Sequence, residues 1–167
     1  MEDFENAKNY YDKVLKATDV NVVFTAYSGK IWSYLKLKRY AESEKVLKEA
    51  QDFAKSKNLP GDDLLLVKAN IALEKGEMQA AIDVYEDLIK NYPKSERYFE
   101  AYLGKANVYF LLKKFDEALL GYSFIIQKTK DEDLLVKASL GVAWAYAKLN
   151  NLNQAKIYFQ NVVDLTN

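Results

Sequence analysis

Two carboxylate clusters, Asp62-Asp63 and Asp131-Glu132-Asp133, are the residues of this chain most easily drawn as metal ligands. They lack the alternate-residue spacing and the distal Glu of a calcium loop, so they read as acids at helix N-termini, where the backbone dipole favours negative charge. A nucleophile with its base is harder still to place. The 167 residues contain no His and no Cys, which removes His and Cys relays, the usual zinc sites, disulfides and a histidine pH switch. Lys90 precedes Tyr92-Pro93-Lys94-Ser95, but the glycines of a phosphate-binding loop are missing, as is a Gly-x-Ser-x-Gly elbow. The titratable pairs left for acid–base work are Asp63 with Lys36 and Glu100 with Lys137. The chain is therefore expected to be no enzyme and to carry no cofactor and no metal.

Composition narrows the partners further. Lys and Arg number 24, Asp and Glu number 24, and half of the residues are hydrophobic, which argues against disorder and against a nucleic-acid footprint. No apolar run approaches the roughly 18 residues of a membrane span, and Met1, Glu2, Asp3, Phe4 and Glu5 are acidic where a secretion signal would be basic. A soluble chain without direct membrane insertion is expected. A chain of this length buries roughly 70% of its unfolded surface as one domain.

The elements that must position any site are helices, since two Pro and six scattered Gly do not punctuate a run of strands. A small residue precedes a large apolar one by four at Ala7/Tyr11, Ser43/Leu47, Ala81/Tyr85, Ala118/Tyr122 and Ala155/Phe159, with successive spacings of 36, 38, 37 and 37. Three residues earlier stand Phe4, Tyr40, Met78, Phe115 and Leu152; seven later stand Val14, Ala50, Leu88, Ile125 and Val162. That pattern is one apolar stripe of a helix, the first running from about Glu2 to Ala17. A second template ends nine residues ahead of four of the small residues, at Tyr34, Ala72, Tyr109 and Tyr146, with Ile31, Ala69, Ala106 and Ala143 one turn before. The linkers within a pair, such as Lys38-Arg39, Glu74–Glu77, Lys113-Lys114 and Asn150-Asn151, are short enough to force antiparallel hairpins. Breaks between pairs fall at 58–62, 91–95 and 130–133, with Asp62, Ser95 and Asp131 as expected N-caps.

The run Ala106-Asn107-Val108-Tyr109 through Phe115-Asp116-Glu117-Ala118 to Tyr122, and that from Ala69 through Gly76, Ala81, Tyr85 and Pro93, resemble the tetratricopeptide repeat motif. Four copies agree in phase. The period is longer than the family's 34 residues, Ser43 replaces a motif Ala, and Ile31 is large where the motif is small. The resemblance implies an all-α, right-handed α-solenoid of antiparallel helix pairs with about nine helices. It would be a single array over 1–167: the second helix of an incomplete repeat at 1–17, then repeats at 22–57, 61–93, 96–129 and 132–167. Neither end carries a polar capping helix, so an excised piece of a longer protein, or a chain that covers its ends by self-association, is expected.

In that family the first helix of each pair lines a concave groove. Carried over residue by residue, the groove takes Thr25, Ser28, Trp32 and Lys36 from the first pair, with Gly29 and Leu35 in the same row, and Asp63, Leu66, Asn70 and Glu74 from the second, with Val67 and Leu73. The third gives Glu100, Leu103, Asn107 and Phe110, with Gly104 and Leu111; the fourth gives Lys137, Leu140, Trp144 and Lys148, with Gly141 and Ala147. Asparagine offers a donor and an acceptor to a peptide backbone, and tryptophan gives contact area with few rotors to freeze. The chaperone-tail clamp of some relatives needs cationic and amide residues where Ser28, Leu66, Leu103 and Leu140 stand, so it is absent. Gly29, Gly104 and Gly141 share one phase, which serves close helix approach or deepens the groove. The resemblance implies a protein–protein interaction scaffold that binds a partner peptide or protein in the groove. The alternative is a self-assembly module stacking through uncapped ends. The stretch Tyr92-Pro93-Lys94-Ser95 also resembles a loop of repeat proteins of bacterial cell envelopes. Cytoplasm and periplasm both stay open, since a signal could lie on a missing N-terminal portion.

Overall fold

The computed structural model describes residues 2–166, and among them the regular elements are nine α-helices with no strand. They are α1 (Glu2–Val14), α2 (Val20–Lys36), α3 (Tyr40–Ser56), α4 (Asp62–Glu74), α5 (Met78–Asn91), α6 (Tyr98–Leu111), α7 (Phe115–Lys128), α8 (Glu132–Lys148) and α9 (Leu152–Thr166). Met1 and Asn167, which bound the outermost expected repeats, lie outside the described residues.

Every hairpin turns in the same way. The three-residue linkers at 37–39, 75–77, 112–114 and 149–151 each place their middle residue in the left-handed region: Lys38 (φ 57°), Gly76 (78°), Lys113 (61°) and Asn150 (60°). The next residue's N–H, from Arg39, Glu77, Lys114 or Asn151, donates back to the carbonyl of Tyr34, Ala72, Tyr109 or Tyr146 at 2.8–2.9 Å. This is a Schellman cap, which satisfies carbonyls the helix end would otherwise orphan. Its acceptors are the four residues on which the second sequence template ends.

Helix starts depart from expectation in part. Asp131 does cap α8, its carboxylate accepting from the Leu134 N–H at 3.0 Å. Asp62 instead lies inside α4 as its first residue, behind Gly61, and its acidic neighbour Asp63 joins it in the first turn. Ser95 accepts from the Arg97 N–H and stabilises the turn ahead of α6 without capping it, because the helix begins only at Tyr98. Asp19, which the pattern passed over, caps α2 through the N–H groups of Asn21 and Val22. The first helix stops at Val14, short of Ala17, and the chain turns there into the Asp19 cap.

The chain forms two compact units that divide within α5 at Val84 and Tyr85. In the first, α2 packs between α1 and α3, α3 packs on α4, and α2 touches α4. Its core holds Ile31, Leu35, Val46, Leu47, Ala50, Leu64, Val67 and Ile71. In the second, α6, α7, α8 and α9 pack each on the next, and α6 touches α8. Its core holds Ala106, Ala118, Tyr122, Ile125, Leu134, Ala138 and Val142. The small template residues Ser43, Ala81, Ala118 and Ala155 are all buried, since the neighbouring helix approaches too closely for a larger side chain. Ser43 is tolerated among the alanines because its hydroxyl faces the Ile31 carbonyl oxygen at 3.5 Å.

Candidate functional site

In the first unit, the expected groove residues lie on α2 and α4. Thr25, Trp32, Lys36 and Glu74 are exposed, while Ser28, Asp63, Leu66 and Asn70 are half-buried. Trp32 keeps 38% of its surface, with the Lys36 ammonium 5.6 Å above its ring. The same ammonium lies 3.8 Å from Glu74, linking the two helices across their exposed faces. Lys36 is thus engaged by an aromatic face and a carboxylate together. Leu35 and Val67, placed in the same rows by the sequence, are core residues at 2% and 8% exposure.

In the second unit, α6 and α8 carry the corresponding positions. Asn107, Lys137, Trp144 and Lys148 are exposed, and Glu100, Leu103, Leu140 and Phe110 are half-buried. Trp144 keeps 52% of its surface although its ring stands edge-on against Phe159, with centroids 5.2 Å apart and an interplanar angle of 85°. Phe110 meets Phe115 edge-on at 5.3 Å, fixing the end of α6 against the start of α7. Glu100 is held by Arg97 at 2.9 Å, and Lys137 by Asp133 one helical turn before it. The hydrogen bond that Lys137 donates to Asp133, with further acidic charge from Asp133, Glu100 and Asp131, raises the Lys137 pKa and favours its protonated form. Among the described residues, no group of three or more acidic side chains converges as a metal ion would require.

The shared glycine phase has a physical account. A Cβ on Gly29 would stand 2.3 Å from the Tyr11 ring, one on Gly104 2.3 Å from the Tyr85 ring, and one on Gly141 2.5 Å from the Tyr122 ring. Each glycine seats the tyrosine of the second-type helix before it, so close approach, not a deeper groove, explains the phase. Where the aromatic is replaced by Leu47, the facing glycine is replaced by Val67, and both lie in one core. A smaller partner on one helix leaves room for a side chain on the other. Burial holds the phenols of Tyr85 and Tyr122 in the neutral form, pushing both pKa values up to about 12. The Tyr122 hydroxyl donates to Asn107 Oδ1 at 2.7 Å, which ties a buried core residue to an exposed amide. The sequence marked Tyr122 only as a motif aromatic; its alternation with glycine one helix later was the signal that could have paired the two.

Residues 3–120 match the profile described as Tetratricopeptide repeat protein 21 ARM repeat, and residues 136–167 match that described as Tetratricopeptide repeat. The chain belongs to the tetratricopeptide repeat family. No curated protein matches its sequence. Solved structures match its fold. BtubC (BKLC) from P. vanneervenii superposes with a TM-score of 0.74 at 14% identity, covering 98% of this chain and 73% of that one. A MamA protein gives 0.67 at 22% identity, covering 98% and 83%. YrrB, a TPR protein with an unusual peptide-binding site, gives 0.62 at 18% identity, covering 98% and 78%. The family's fold is that of a protein–protein interaction scaffold, its members bind proteins or peptides, and they are generally non-catalytic. Among the described residues, no helix is long and apolar enough to cross a membrane.

Proposed function

We propose that this chain is a non-catalytic scaffold that receives a segment of a partner protein on the exposed faces of its first-type helices, α2 with α4 and α6 with α8, the repeats acting as one array. The observation that carries the reading is Trp144. A ring that is braced by Phe159 yet 52% exposed, on a helix touching the one that bears exposed Asn107, is pre-organised contact area beside a polar group. Such a surface orders little on binding, so less of the interaction energy is lost to freezing side chains. The likeness of the fold to YrrB, with its peptide-binding site, supports a peptide ligand. Lys36 and Lys137, two of the lysines on these faces, are both tied to carboxylates, which favours binding over catalysis. Replacing Asn70 and Asn107 together by Ala is expected to reduce partner capture from source-cell extract while leaving the circular dichroism spectrum helical. Capture at the wild-type level would count against the reading.

A second reading has its own observation. On α9, Leu152, Ile157, Val163 and Leu165 are 42–65% exposed, and on α1 Phe4 and Tyr10 are 40% and 65% exposed. Such faces favour self-association. Light scattering across concentration separates the two: a groove binder keeps one mass, whereas a stacking module grows.

A further inference from the structure

We propose that Tyr122 is a positioning residue that fixes the polarity of Asn107, so that Asn107 meets its ligand as a hydrogen-bond donor; this rests on the reading of the α6–α8 face as a partner-binding surface. Tyr122 is 2% exposed, and its ring occupies the space that the missing side chain of Gly141 leaves on α8, so it cannot swing aside. A buried neutral phenol must place its proton on an acceptor. Among the described residues, that acceptor is Asn107 Oδ1 at 2.7 Å. Turning the amide over would set N–H groups against the phenol oxygen and leave the buried O–H unpaired, which disfavours the flipped state about 10- to 100-fold.

With Oδ1 held inward, Nδ2 lies on the other side of the amide, on an exposed residue, and donates to nothing among the described residues. Two N–H groups are thereby presented outward in a fixed orientation. The complementary ligand atom is an oxygen acceptor, a backbone carbonyl or a carboxylate of the partner segment. Two of the other hairpins differ, while α4 and α5 carry Asn70 and Tyr85 at the same two positions. The equivalent residue pair on α8 and α9 is Trp144 with Phe159, and on α2 and α3 it is Trp32 with Leu47, neither of which has a hydroxyl to set an amide.

The probe is a set of tryptophan-free peptides selected from a random displayed library on the full wild-type chain. Binding is titrated by the emission of Trp32 and Trp144, the only two tryptophans in the chain. Asn107→Asp keeps the shape and the acceptor for Tyr122 but replaces the outward donors with oxygen, and is expected to weaken binding about 10-fold or more. Tyr122→Phe keeps the ring on Gly141 but frees the amide, with an expected loss of about 3- to 10-fold. In the free protein, Tyr122→Phe is expected to shift the Asn107 side-chain NH2 resonances while the backbone amides around Gly141 stay in place, a change that a purely structural role would not produce. Added salt separates the sources of the acceptor: a carbonyl ligand keeps its affinity and a carboxylate loses it. Peptides that change the tryptophan emission yet bind Asn107→Asp as tightly as wild type would overturn the donor assignment alone, as would unmoved NH2 resonances in Tyr122→Phe. If no selected peptide changes the emission, the groove reading fails and this proposal fails with it.

Discussion

Gly141 and Gly29 occupy the same repeat phase and face the same kind of ring, yet substitution should not affect them equally. At Gly141 the neighbour is Tyr122, buried to 2%; at Gly29 it is Tyr11, only half-buried on α1 and so less confined. Overpacking a filled core costs about 1 to 3 kcal/mol, while Ala gains about 1 kcal/mol over Gly inside a helix. Gly141→Ala is therefore expected to lower the unfolding free energy by up to about 2 kcal/mol in a urea titration, and Gly29→Ala to leave it nearly unchanged; equal effects would contradict the account. The left-handed turn residues give the opposite sign. Lys113 sits at φ 61° where Gly76 serves the same turn one hairpin earlier. Lys113→Gly should stabilise the protein by about 0.5 to 1 kcal/mol, read by the same titration, because the strain of a side chain in that region exceeds the extra entropy of the unfolded glycine. The glycine phase was visible in the sequence, but its cause was not: only the packed rings show which neighbour needs the space.

At the scale of helices and turns, pattern was a good guide to where helices lie and a weaker one to how they begin. The apolar stripe repeating every 36 to 38 residues reflects a core each hairpin shares with the next, so it survives local variation such as Ser43. Caps depend on one residue and on backbone geometry, and of the three expected, Asp131 alone caps a helix with its side chain. Asp131→Ala is expected to cost about 1 kcal/mol of stability, whereas Asp62→Ala, inside the first turn of α4, should cost less; denaturation midpoints of the two variants check the order. The Leu35 and Val67 corrections have the same origin. A phase carried from a family repeat does not say which of its positions face the neighbouring helix, and Leu35 and Val67 both lie in the core. The Tyr122–Asn107 hydrogen bond was beyond reach, since it requires the register of α6 against α7.

For the molecule as a whole, Tyr85 and Tyr122 make stability depend on alkaline pH. Both phenols ionise near pH 12 when folded but near pH 10 when unfolded. Above about pH 10 the unfolded chain releases protons that the folded chain retains, so stability is full below that pH and falls as pH rises toward 12. The thermal midpoint should decline over this window, and Tyr122→Phe should make the decline shallower; a flat profile would contradict the burial of the two rings. The central claim is that the faces of α2 with α4 and of α6 with α8 receive a polypeptide segment. Its most direct test is a nuclear magnetic resonance map of backbone and side-chain amides, recorded as a library-selected peptide is added to the full chain. The expected result is that the shifted resonances concentrate on Trp32, Asn70, Asn107, Trp144 and their exposed neighbours on those four helices. Shifts confined to the outward residues of α3, α7 and α9 would contradict it.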